Sequence, residues 1–138
     1  MDKERILSKI DELDNYLMEL EEIIPENFEI YRKNIEKKRA CERLLQILIE
    51  CTIDICFILV KELKLGLPSD EEDIFKKLED ANIITSDMVK ILRGMRGFRN
   101  ILVHRYGKVD DMLVFENLNR LNDFKKFKKQ ILTFLRHQ

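Results

Sequence analysis

The residues best suited to chemistry are crowded into one stretch. Arg99, Asn100, His104, Arg105 and Tyr106 fall within eight positions. His104 is one of two histidines in 138 residues; the other, His137, is next to the last. An imidazole takes or gives a proton near neutral pH, and a guanidinium grips a phosphate through parallel hydrogen bonds. Together they suit cleavage of an RNA strand without a metal. That reaction needs a base for the 2′-hydroxyl, an acid for the leaving oxygen and a cation for the charge gathering on the phosphate. In this chemistry His104 is the base or acid and Arg99 stabilises the phosphate. Arg93, Arg96 and Arg105 would hold the flanking backbone. With His137 next to the last residue, the stretch itself holds one histidine per chain, one short of an acid–base pair, which a homodimer with two such stretches in one cleft would complete. Arg99 and His104 are also five apart, about 140° on an ideal helix. They converge only if the helix ends within the stretch or if a second subunit supplies the partner.

The charge around these residues is uneven. Lys and Arg number 25 against 26 Asp and Glu, so the formal net charge is −1, which excludes a wholly basic nucleic-acid-coating protein. Yet no Asp or Glu occurs from Met88 to Val109, where Lys90, Arg93, Arg96, Arg99, Arg105, Lys108 and His104 accumulate. A solvated basic face and a polyanion site both fit that pattern, and like charges so close need counter-charge from elsewhere. Glu50 and Asp54 are candidates. They are four apart and share one face of an apolar helical pattern, from which they could hold an arginine and orient the site. The alternative for that pair is simple exposure to water.

The elements that must position these groups read as helices. Gly (4) and Pro (2) are too few for a fold built on many tight turns. Ile6, Ile10, Leu13, Leu17, Leu20 and Ile24 repeat at helical spacing. A second pattern runs from Phe28 to Leu63 without Gly or Pro, long enough that a bend is expected within residues 33–43. Ser69 and Glu72 form a capping-box signature for a short third helix. Thr85 or Ser86 can cap a fourth, with Ile91, Met95, Phe98 and Leu102 on its buried stripe and Gly107 near its end. Asp110 or Asp111 starts a fifth, with Leu113, Leu118, Leu121, Phe124, Ile131 and Leu135 inward. The expectation is an all-α antiparallel bundle of about five helices, one of them long and central, in a single domain spanning residues 1–138. Cys41, Cys51 and Cys56 read as buried small hydrophobes of a reducing compartment. No Cys/His spacing suits a metal, and the apolar run through residues 44–65 carries too many charges to span a membrane. The opening Met1-Asp2-Lys3-Glu4-Arg5 lacks a signal-peptide core, so a cytoplasmic protein is expected.

Residues 97–106, Gly-Phe-Arg-Asn-Ile-Leu-Val-His-Arg-Tyr, resemble the R-x4-H-x-Y signature of the HEPN superfamily. With Leu92-Arg93-Gly94-Met95-Arg96 before them and Gly107-Lys108-Val109-Asp110 after, they resemble its HepT-like branch. The resemblance implies a metal-independent endoribonuclease with Arg99 and His104 as catalytic residues and no cofactor. Asn100, Glu50 and Asp54 would support the site; the second helix matches that branch only loosely. The resemblance further implies a toxin of a type VII-like toxin–antitoxin pair, a homodimer whose two motifs line a shared cleft. Its partner would be an MntA-type nucleotidyltransferase that silences it by transferring AMP to Tyr106. The alternative is a non-catalytic helical partner that binds RNA or nucleotide beside a minimal nucleotidyltransferase.

Overall fold

Most helix starts in this chain are written as side chains that accept the orphan N–H groups of a first turn. The computed structural model describes residues 1–104 and 109–138. The expectations placed on Arg105, Tyr106 and Gly107 lie outside the described residues. Within these the chain forms α1 (Lys3–Ile23), α2 (Phe28–Lys33), α3 (Ile35–Glu62), α4 (Glu71–Asp80), α5 (Ser86–Val103), α6 (Asp111–Leu118) and α7 (Asn122–Arg136). Asp2, Asn27, Asn34, Asp70, Thr85 and Asp110 cap the first six through their side chains. The result is an all-helical bundle.

The count exceeds five because two expected helices are each divided. Asn34 takes extended backbone and its Oδ1 accepts the Lys37 N–H at 3.0 Å, so it ends α2 and begins α3. The bend expected within residues 33–43 thus falls at the head of that interval. The last pattern breaks at residues 119–121, between α6 and α7. α3 is the central element and packs against α1, α2, α4, α5 and α6. Leu48, Ile55, Cys56 and Leu59 are fully buried along it, as are Leu13 and Leu20 of α1, Phe75 and Leu78 of α4, and Leu92 of α5. α7 lies along α1 through Lys128–Asp14 and Lys125–Glu21 ion pairs.

Two turns aim α4 at α5. α3 closes with Lys64 at φ 54°, where the Leu65 N–H reaches the Val60 carbonyl and the Lys64 N–H the Lys61 carbonyl. α4 closes the same way through Asn82 at φ 60°, with the Ile83 N–H on Leu78 and the Asn82 N–H on Glu79. Both are Schellman closures that satisfy the last carbonyls and reverse the chain. Cys41, Cys51 and Cys56 are buried free thiols. Burial pushes Cys41 and Cys51 up to about 11 and Cys56 well above the ordinary thiol range. Among the described residues no helix is long and apolar enough to cross a membrane.

Candidate active site

α5 carries the site because one of its faces is committed to the core. Met88, Val89, Leu92, Met95, Phe98 and Leu102 are buried. Arg93, Arg96 and Arg99 recur every three residues, each step turning about 60° backwards around the axis. They therefore form a slanted row beside the buried stripe, facing the first turn of α4. Exposure falls along the row: the Arg93, Arg96 and Arg99 side chains are 53%, 32% and 14% exposed.

The counter-charge for that row comes from Glu71 and Glu72. Glu71 Oε1 accepts from Arg99 Nη2 at 2.5 Å and from Arg96 Nε at 2.9 Å. Glu72 Oε2 accepts from Arg93 Nε at 2.6 Å, and its Oε1 lies 3.5 Å from Arg96 Nη1. Glu72 is available because the expected capping box is shifted by one residue. Asp70 caps α4 by accepting the Asp73 N–H at 2.8 Å, and Asp73 Oδ2 accepts the Ser69 N–H at 3.0 Å. That bond from Ser69 is the main reason the Asp73 carboxyl sits below the ordinary aspartate range. Three acids in a helix's first turn also complement its dipole.

Glu50 and Asp54 do not hold an arginine of α5, contrary to the expectation from their spacing. Glu50 accepts from Gln46 Nε2 at 3.4 Å. Asp54 pairs with Lys9 of α1 at 3.7 Å, and its side chain is 59% exposed. Four-residue spacing puts two side chains on one face of α3, but that face turns toward α1 and solvent. Glu71 and Glu72 were missed because their sequence signal, acids following a cap, is explained by the helix start alone.

Asn100 joins the two ends of the motif. Its Oδ1 accepts from Arg99 Nε at 3.0 Å, and its carbonyl accepts the His104 N–H at 2.9 Å. The helix ends at Val103, so His104 is the C-cap and is exposed. This meets one of the two conditions for bringing Arg99 and His104 toward each other. On the far flank of α5, about 160–220° around from Arg99, lie Gly94, Gly97 and Ile101. Added Cβ atoms at the two glycines would touch nothing, and Ile101 is 47% exposed. Among the described residues no group of three His, Cys, Asp or Glu side chains could hold a metal ion.

The site helix of this all-helical bundle, α5, stops inside the Arg-x4-His segment that resembles the HEPN signature. The family model described as Ribonuclease HepT-like matches residues 13–131, and the chain belongs to that family of ribonucleases. The tRNA nuclease HepT of Aphanizomenon flos-aquae is 28% identical over 131 residues, 94% of this chain and 89% of that one. The mRNA nuclease HepT of Shewanella oneidensis is 36% identical over 84 residues, 60% of this chain and 63% of that one. A solved structure of the tri-AMPylated Shewanella oneidensis HEPN toxin in complex with MNT antitoxin superposes with a TM-score of 0.84. It is 26% identical and covers 93% of this chain and 96% of that one.

Proposed function

We propose that the chain is a metal-independent endoribonuclease in which Arg99 and His104 carry the reaction. The observation behind this is the Arg99–Asn100–His104 unit at the end of α5, with Arg99 fixed in advance by Glu71 and Asn100. The 2′-oxygen attacks the adjacent phosphorus while an imidazole removes its proton. The P–O5′ bond breaks, and the departing oxygen takes a proton from a second imidazole. This leaves a 2′,3′-cyclic phosphate and a 5′-hydroxyl. Arg99 stabilises the phosphate charge as it grows. Arg93 and Arg96 hold flanking phosphates, and Arg105 follows His104 directly in sequence.

Two motif imidazoles require two chains, so the working form is a homodimer with both motifs on one cleft. The open flank of α5 supports this. Gly94 and Gly97 leave room for a close approach, and exposed Ile101 and Val103 supply apolar surface. The Shewanella oneidensis HEPN toxin, solved in complex with its MNT antitoxin, supports a toxin–antitoxin role, and its AMPylation supports control by AMP transfer. Here the acceptor is the Tyr106 hydroxyl and the donor an MntA-type nucleotidyltransferase using ATP. A phosphate tethered there would compete with RNA at high effective concentration.

Incubation of the purified protein with RNA in EDTA is the direct test. Wild type should cut. His104→Ala should lose roughly 10²–10⁴-fold in rate and Arg99→Ala roughly 10²–10³-fold. Cleavage that persists in His104→Ala would overturn the mechanism. Intact mass after treatment with ATP and the cognate transferase should rise by whole AMP units in wild type and stay constant in Tyr106→Phe.

A further inference from the structure

We propose that Glu71 is a positioning residue that raises the rate of cleavage while weakening RNA binding. The inference rests on the ribonuclease reading above and assigns a role to a residue outside the motif.

Arginine is long and has many rotamers, so a free guanidinium would have to be ordered each time substrate arrives. Here two of its three nitrogens are already engaged. Arg99 Nε donates to Asn100 and Nη2 donates to Glu71. Among the described residues Nη1 has no hydrogen-bond partner, so it is left for a phosphate oxygen. The same Glu71 oxygen holds Arg96, which fixes the spacing between the two cations. Preorganisation of this kind lowers a barrier because nothing need rearrange as charge develops.

The same carboxylate repels the substrate. Three guanidiniums against two carboxylates leave one net positive charge on the cluster at neutral pH. Any RNA phosphate that contacts Arg99 lies one guanidinium away from Glu71. Removing the acid should therefore strengthen binding and slow the chemistry. A residue needed only for folding would move rate and affinity in the same direction.

The experiment compares full-length wild type, Glu71→Ala, Glu71→Gln, Glu72→Ala and Glu50→Gln in three measurements. These are single-turnover cleavage at saturating RNA, affinity for 2′-O-methyl RNA, and NMR of the arginine side-chain N–H groups. The 2′-O-methyl strand lacks the attacking hydroxyl, so binding is read without cleavage. Glu71→Ala should lose roughly 10–10²-fold in rate, the scale expected of a misplaced catalytic group. It should bind the methylated RNA about threefold more tightly, as one carboxylate some 7 Å from a phosphate near water predicts. Glu71→Gln keeps an acceptor without the charge, so it should recover most of the rate and keep the tighter binding. Glu72→Ala, which does not touch Arg99, should lose less rate than Glu71→Ala, and Glu50→Gln should match wild type. Guanidinium rotation at Arg99 should be slow in wild type and fast in Glu71→Ala. A parallel fall in rate and affinity, or an unchanged Glu71→Ala rate, would overturn the proposal. If wild type does not cut RNA, the ribonuclease reading fails instead. The affinity and NMR measurements then decide the positioning role, and a freely rotating wild-type Arg99 refutes it.

Discussion

Glu71 and Glu72 meet Arg93, Arg96 and Arg99 where water still reaches, whereas Lys38 meets Asp111 where it scarcely does. In the first cluster the side chains are 14–53% exposed. In the second, Lys38 is 11% and Asp111 19% exposed, at 3.1 Å. Buried Glu42 lies close by, paired with Arg39 at 2.9 Å. Tyr31 completes the region, fully buried with its ring tilted against that of Phe115 at 5.6 Å. Burial, then nearby Cys41, Glu42 and Asp111, pushes its hydroxyl well above the ordinary phenol range. Both clusters tie one helix to another. The wet one joins α4 to α5 and leaves cationic surface for a ligand. The dry one joins α3 to the start of α6 and leaves almost none. Charges held in water can be lent to a substrate; charges out of water are committed to the fold.

The largest expected effect breaks the dry cluster. Lys38→Met leaves the Asp111 carboxylate without its lysine in a site that water hardly reaches. It should cost about 3 kcal/mol of stability, read as a lower urea midpoint at unchanged slope. Lys38→Met with Asp111→Leu removes both charges and should return most of that loss. Cleavage rate measured well below the unfolding transition should stay at the wild-type level in both. A rate loss in the double variant with stability restored would place this cluster in the site.

Next comes the wet cluster. Arg93→Ala together with Glu72→Ala should change stability by less than about 1 kcal/mol, because exposed ion pairs contribute little. The same double variant should bind RNA with a shallower dependence on salt, by about one unit of slope if Arg93 holds one phosphate. A stability loss as large as that of Lys38→Met would erase the distinction between the two clusters.

The sequence carried much of this arrangement because its signals are local. The α1 stripe from Ile6 to Leu20, the Thr85 cap and the Asp110 cap all report on neighbours within a turn. The arginine row and the acid-free window were legible for the same reason. The division at Asn34 was half legible: an asparagine can cap, but nothing in the apolar repeat says that it must. The partners of the arginines were not legible. Glu71 is 28 residues from Arg99, and only the two Schellman turns and the packing of α4 on α5 bring them together. Lys38 and Asp111, 73 residues apart, carry no sequence sign of each other.

The smallest effect belongs to the acids that spacing favoured. Glu50 has a long hydrogen bond to Gln46 of its own helix, and Asp54 has a 3.7 Å contact with Lys9. The Asp54 carboxylate is mostly in water, so losing it removes a weak Coulomb attraction and frees a lysine that water solvates equally well. Glu50→Gln and Asp54→Asn should each shift stability by no more than about 0.5 kcal/mol. Neither should alter cleavage rate, since neither residue touches the arginine row. Set beside Glu71→Ala, these variants separate acids that share a helix face from acids that share a site. The measurement is one cleavage assay across these three carboxylates, with urea unfolding of each variant alongside. If Glu50→Gln slowed cleavage and Glu71→Ala did not, the counter-charge would have to come from α3, and the division of labour between the clusters drawn above would be reversed.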